Sequence, residues 1–366
     1  MNQGIRRNAV RKRRRRRRQR RAAILLISLV VLVGAALAGA LIIFDQTRNY
    51  TASYEEENYN TNIYQGKMFA ADFCVAPDEV DLEGFKPDTD LHAAGLFDLE
   101  ADSVLCGYKL YDRLYPASTT KIMTALIALK YGNLDDEVTV SANATDFNWD
   151  EVTSGLRTGD KVTLHDLICG LLLHSGNDCG TAIAEHIAGS EEAFAEMMNE
   201  EAAALGATGT HFVNPHGLHD ENHYTTAYDL YLIFNECIKD ERFVEIISMD
   251  SYEGTLTGAD GTVRKETWTP TQAYGAGEAT EPEGIRVLGG KTGTTQQAGN
   301  CVILYDEDLS DHPYISVIMG ADGATRLYDQ MNMLMQAGIT GTADQPSEQN
   351  QQTADQSAGQ NQQTEE

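Results

Sequence analysis

The chain has 366 residues, with 55 acids against 28 bases and a net charge of −27. Twelve of the bases fall in residues 1 to 21, which hold no acid, so the remainder carries 16 bases against 55 acids, a balance of −39. That excludes binding of nucleic acid or anionic lipid through the surface of this larger part.

Residues 22 to 44 are apolar but for Ser28 and carry no charge. The run is long enough to cross a bilayer as a helix. The basic block before it predicts a cytoplasmic start, with everything after Phe44 outside. Ala36-Leu37-Ala38 has the form of a signal-peptide cleavage site. The apolar run continues past it to Phe44, which favours an uncleaved anchor. Residues 45 to 66 lack an apolar period and read as a tether. The six cysteines, Cys74, Cys106, Cys169, Cys179, Cys237 and Cys301, all follow the span. An even count in an exported chain permits disulfides, and spacing does not choose the pairing. Cys169 and Cys301 sit in apolar runs, where buried thiols are the usual outcome.

Residues 67 to 338 read as one domain near the upper size for a single core. Residues 93 to 110 suggest a hairpin around a polar turn. From Ser118, apolar Ile122, Ala125, Leu126 and Leu129 recur at helical spacing. A second helix follows Thr163, and a third is expected from Asp178 to Ile187. GIRVLGGKTG, AGNCVILY and YISVIMGA read as neighbouring strands. Strands at both ends with helices between them predict an α+β domain. Residues 339 to 366, with QNQQT twice, read as a disordered Gln-rich tail.

Three motifs lie in this domain: Ser118-Thr119-Thr120-Lys121, Ser175-Gly176-Asn177 and Lys291-Thr292-Gly293-Thr294. Each is weak alone, since S-x-x-K arises about once by chance in such a length. Pro116 sets the entry to a helix whose first turn holds Ser118. Positions i and i+3 share a helical face, so Lys121 stands over Ser118. A serine hydroxyl needs a base nearby, and lysine serves if burial or a neighbouring cation lowers its pKa. Lys291 is a candidate for that cation. Gly176 allows a turn that brings Ser175 and Asn177 to one side; Ser175 then relays a proton, and Asn177 holds a substrate amide or Lys121. Gly289 and Gly290 precede the third motif, and glycines on a strand let a ligand backbone approach. A peptide added along that edge would present its terminal carboxylate to Lys291, Thr292 and Thr294. The N–H groups of Ser118 and Thr294 are candidates for an oxyanion hole. His211, His216, His219 and His223 form a rival cluster for zinc. Pro215 and Gly217 interrupt it and no H-E-x-x-H occurs, so a structured loop near the cleft is the preferred reading.

The three motifs in this order match the S-x-x-K, S-x-N and K-T-G set of penicillin-interacting serine enzymes. Together with PASTTKIMTAL, LLLHSGNDCGTAIAEHIAG, THFVNPHGLHDENHYTTAYDL and GGKTGTTQQAGNCVIL, the chain resembles the serine-type D-alanyl-D-alanine carboxypeptidases, the low-molecular-mass penicillin-binding proteins. The resemblance spans roughly residues 66 to 338. It implies a transpeptidase/β-lactamase-like fold with a mainly helical insertion and removal of the terminal D-alanine from peptidoglycan stem peptides. It also implies acylation by β-lactam antibiotics; the complete serine constellation calls for no cofactor or metal, and the basic start with the apolar span predicts a membrane location with the catalytic domain outside. By motif position Ser118 becomes the nucleophile, Lys121 the base, Ser175 and Asn177 the relay pair, and Lys291, Thr292, Gly293 and Thr294 the substrate-binding strand. Two features depart from the pattern. No small β-rich domain or amphipathic helix follows the catalytic domain, and Cys179-Gly180 stands where Ala-Ala is expected. A class A-like β-lactamase shares the motifs but needs a glutamate for deacylation, and only Glu196-Met197-Met198-Asn199 approaches that segment. A non-catalytic wall-binding protein is disfavoured by the complete residue set. Water and a second stem amine both fit as acyl acceptor.

Overall fold

The structure, a computed structural model, describes residues 73–339. The expected basic segment, span and tether, and the tail beyond Ile339, lie outside the described residues. Ile339 itself, expected at the head of the tail, is buried against the core.

Strand β1 (Ala93–Asp98) is buried at all six positions and forms the predicted hairpin with β2 (Ser103–Tyr108). A 3-10 turn, Ala117–Thr120, leads into α1 (Lys121–Tyr131), whose residues through Leu129 are all buried. A helix apolar on every side belongs at the centre of a domain. Around it lie α2 (Leu164–Leu172), α3 (Asn177–Ala188), α4 (Glu191–Ala204), α5 (Ala227–Cys237) and α6 (Glu241–Ile247). Thr163 caps α2 by accepting from the Asp166 N–H, as its position before the apolar run predicts. A four-stranded sheet that the sequence pattern did not reveal flanks these helices. Its order is β3 (Glu137–Thr139), β4 (Lys161–Thr163), β5 (Tyr252–Thr257) and β6 (Val263–Trp268).

The chain returns through β7 (Ile285–Thr295), β8 (Gly299–Asp308) and β9 (Pro313–Ala321), then ends in α7 (Ala324–Gly338). The principal sheet has the antiparallel order β2-β1-β9-β8-β7. Strands from both ends thus share one sheet with the helices inserted between them, the α+β arrangement expected. Alternation along β8 decides the two layers. Cys301 and Ile303 join the core that holds α1, whereas Val302 and Leu304 face Leu327, Met331 and Leu334 of α7. β7 is an edge strand, and the Ser118 turn packs beside it. All six cysteines are buried and unpaired. Among the described residues no helix is long and apolar enough to cross a membrane.

Candidate active site

The turn that carries Ser118 is strained. Ala117 has φ of 49°, a conformation costly for a residue with a Cβ. Side-chain hydrogen bonds hold it: Thr119 Oγ1 donates to Pro116 O at 2.7 Å and Thr120 Oγ1 to Ala117 O at 2.8 Å. The next helical turn places Lys121 over Ser118, with Nζ 2.8 Å from Ser118 Oγ. The same nitrogen donates to Asn177 Oδ1 at 2.8 Å and to His216 O at 2.7 Å. Lys121 is fully buried. Burial first, and the Lys291 charge second, push its pKa well below the usual lysine range. A neutral amine has two N–H groups and one lone pair. Two carbonyl oxygens take the two N–H groups, and the lone pair is left facing the Ser118 hydroxyl.

Ser175 adopts the left-handed conformation, φ 63°. The sequence reading gave that freedom to Gly176, yet Gly176 has φ −63°. Its lack of a Cβ serves packing instead, since a Cβ there would lie 2.1 Å from Ser154 Oγ. Asn177 opens α3, one residue earlier than expected, and its N–H donates to Val152 O at 2.9 Å. Asp178 is buried and accepts from the N–H groups of Ser154, Leu156 and Cys179. Burial pushes its carboxyl upward against those three donors. The unusual Cys179 is fitted by Gly170, where a Cβ would stand 2.8 Å from the sulfur. At Gly180 an added Cβ meets nothing closer than 3.4 Å, so alanine would nearly fit.

On β7, Lys291 is fully buried and donates to Ser175 Oγ at 3.0 Å and Thr292 O at 2.9 Å. Desolvation lowers its pKa to about 7. Thr292 Oγ1 lies 2.7 Å from Thr271 Oγ1. The Thr294 hydroxyl donates to Asn300 Oδ1 at 3.2 Å. Gly293 lies directly against the nucleophile turn: a Cβ there would be 2.8 Å from both Pro116 O and Ser118 N. Gly289 and Gly290 do not admit a ligand as expected. Cβ atoms there would meet the chain's own backbone, Ile247 O and Ile303 O, each at 2.2 Å.

The histidine-rich segment forms the seat of this turn. His216 supplies its carbonyl to Lys121, and its Nδ1 accepts from Leu218 N at 3.2 Å. Burial lowers its pKa to about 3. His223 Nδ1 accepts from Val213 N at 3.1 Å, so Nε2 carries the proton and donates to Thr120 Oγ1 at 2.8 Å. Burial lowers its pKa to about 4. A Cβ on Gly217, φ 86°, would lie 1.9 Å from Ala117 O. Among the described residues no cluster of three or more metal-ligating side chains occurs. Glu196 is exposed on α4, on the solvent side rather than over Ser118.

The three motifs therefore come together: Lys121 bonds Ser118 and Asn177, Lys291 bonds Ser175, and Gly293 packs on the Ser118 turn, with Thr292 and Thr294 on either side of it along β7. Sequence reasoning missed Thr271, Asp178, the His216 carbonyl and the His223 brace. The Peptidase S11 profile, D-alanyl-D-alanine carboxypeptidase, matches residues 83–323. The chain belongs to the Peptidase S11 family. Similar S11 relatives include the D-alanyl-D-alanine carboxypeptidase DacF of Bacillus subtilis, 38% identical over 169 residues, covering 45% of this chain and 42% of that protein. DacA of Haemophilus influenzae is 30% identical over 256 residues, 68% of this chain and 61% of that protein. The chain thus spans less than two thirds of these relatives' length. Among solved structures, the Streptomyces K15 DD-transpeptidase aligns with a TM-score of 0.64 at 25% identity, over 70% of this chain and 99% of that one. A D-alanyl-D-alanine carboxypeptidase from Mycobacterium tuberculosis aligns at 0.63 and 26%, over 74% and 98%.

Proposed function

We propose that this S11 chain is a D-alanyl-D-alanine carboxypeptidase that removes the terminal D-alanine of peptidoglycan stem peptides through an acyl-enzyme on Ser118. The observation that carries this reading is Lys121 Nζ at 2.8 Å from Ser118 Oγ, fully buried, with both remaining directions taken by carbonyl oxygens. Lys121 accepts the hydroxyl proton as Oγ bonds to the penultimate carbonyl carbon. The N–H groups of Ser118 and Thr294 hold the oxyanion, and the contact of Gly293 with the Ser118 N–H supports that pairing. The C–N bond then breaks, and Ser175 with Lys291 delivers a proton to the departing D-alanine nitrogen. Thr292 with Thr271 faces the terminal carboxylate. Once Lys121 has passed its proton back to Lys291, it takes a proton from water as the water oxygen bonds to the acyl carbon; the C–Oγ bond breaks and Lys121 returns that proton to Ser118 Oγ. A β-lactam presents a cyclic amide to the same nucleophile and acylates it. The Arg-rich start and the apolar run of residues 22 to 44 support an anchored enzyme with its site outside the membrane.

Labelled penicillin with peptide mapping tests the reading. The label should fall on the peptide containing Ser118 and vanish in Ser118→Ala, with the melting temperature kept. Release of D-alanine from a D-Ala-D-Ala peptide should survive EDTA and stop with penicillin. Label retained by Ser118→Ala, or activity lost to EDTA, would overturn it.

A further inference from the structure

An extended peptide lying along the β7 edge has only one way out. Its terminal residue occupies the end near Thr292 and Lys291. That end is closed: Lys291 is fully buried and bonded to Ser175. Just before it on the strand, the Gly289 backbone packs against Ile247 O of α6. Residues upstream of the cleaved bond must therefore leave past Thr294 and Thr295. There a cavity of about 750 Å³ opens across the end of the principal sheet. The β7–β8 hairpin gives it Thr295, Gln296 and Asn300, and the opposite wall holds His92, Lys109 and Asp322.

This wall is built rather than incidental. Asn300 accepts from Thr294 Oγ1 at 3.2 Å and donates to Ala321 O at 3.1 Å, tying the cavity to the strand beside the nucleophile. The His92 ring lies on Gly320, where a Cβ would be 2.1 Å from Nδ1. Only a glycine leaves room for the imidazole there. The lining is polar: the amides of Gln296, Gln297 and Asn300, the His92 ring, the Asp322 carboxylate, and Lys109, whose ammonium lies over the Tyr108 ring, 4.8 Å from its centroid. Asp90, at the margin, is paired with Arg326 at 3.3 Å.

Resting on the acyl-transfer reading above, we propose that this cavity is the subsite for the upstream part of the stem peptide. Lys109 and His92 recognise a free carboxylate there, and Asp322 meets an amine. The site selects polar peptides longer than the residues it cuts.

The test compares three peptides: Nα-acetyl-L-Lys-D-Ala-D-Ala, L-Ala-γ-D-Glu-L-Lys-D-Ala-D-Ala, and the second with its glutamyl α-carboxylate amidated. The pentapeptide should exceed the tripeptide in kcat/KM by about tenfold, the factor set by one charged contact. Amidation should remove most of that gain in the unaltered chain. The double variant Lys109→Gln, His92→Gln should remove the same gain while cleaving the tripeptide as before. Equal kcat/KM for tripeptide and pentapeptide would overturn the proposal. So would a gain that survives both amidation and substitution, or a variant that loses both peptides alike. Cleavage of none of the three would instead overturn the acyl-transfer reading itself.

Discussion

Gly293→Ala tests the join between the substrate strand and the nucleophile turn. The added Cβ would stand 2.8 Å from Pro116 O, 2.8 Å from Ser118 N and 2.9 Å from Thr119 N, where ordinary contact begins at 3.4 Å. All three neighbours are backbone atoms, so no side chain can swing away. Strand and turn must part by about 0.6 Å to clear 2.8 Å contacts. A displacement on the order of 1 Å can cost about 10²-fold in rate. The expected fall in the second-order rate of penicillin acylation is therefore between about tenfold and a hundredfold. Overpacking costs about 1–3 kcal/mol of stability, so melting should shift without loss of the fold. Neither lysine is altered, so the loss should be the same at every pH. Gly261→Ala is the control. Unlike Gly293 it has positive φ, 81°, and its Cβ would meet nothing within 4 Å, so it should lose stability and keep acylation. A folded Gly293→Ala protein acylated within about threefold of the unaltered rate would refute the packing argument, since about 0.6 kcal/mol is all that factor represents.

Lys291→Met should raise the pKa of Lys121 and move the acid limb of the acylation profile upward, because the Lys291 charge helps hold Lys121 low. Free-acid and C-terminally amidated peptides should lose rate alike; a loss confined to the free acid, with the limb unmoved, would make carboxylate reading its main role. His223→Phe and Thr120→Val each cut the chain that steadies Ala117. Each should slow acylation by about tenfold, with no further loss in the double variant, as coupled residues behave; additive losses would show two separate roles. Asp306 is fully buried on the α7 face, and neither carboxylate oxygen has a hydrogen-bond partner. Burial raises its pKa from 3.8 to about 8. The fold therefore favours the protonated form: stability is full below the lower value and falls as pH rises through the upper one. Asp306→Asn should flatten the melting temperature between about pH 4 and 8, and an unchanged slope in calorimetry would count against it.

The parts of this molecule that sequence reveals are those governed by local periodicity or by a reactive spacing. The β1–β2 hairpin and the three closing strands are apolar runs bounded by turn residues, and α1 and α2 carry apolar residues at helical spacing. Ser118 and Lys121 share a helical face whatever the rest of the chain does. The second sheet was hidden for a physical reason. β3 and β4 have three residues each, too few to show a period, and β5 and β6 alternate in burial but place Gly254, Arg264 and Glu266 at inward positions, which give no apolar signal. Glycine misled in two places. At residues 289 and 290 it marks contact with the chain's own backbone, and at residue 176 it marks contact with Ser154. A sequence shows that a Cβ is missing but not what occupies its place. The histidine cluster misled in the same way. Imidazole rings that could bind metal instead accept backbone N–H groups at Nδ1, and only the folded loop decides which.

Acid and base roles in such a site follow from groups whose environments push their pKa values apart. Two lysines are buried without a carboxylate bonded to either. Both cannot carry full charge there, because burial disfavours each ammonium and each disfavours the other. The proton belongs on the less perturbed one. Burial lowers both, Lys291 to about 7 and Lys121, with the Lys291 charge beside it, well below the usual lysine range. At neutral pH, Lys121 is thus the free base beside Ser118, and Lys291 is the proton reservoir beside Ser175. One proton can then pass from the hydroxyl to Lys121 while another leaves Lys291 for the departing amine. The charge inside the cavity never exceeds what its walls tolerate. This division of labour requires the lysine over Ser118 to give up its proton more readily than the one beside Ser175.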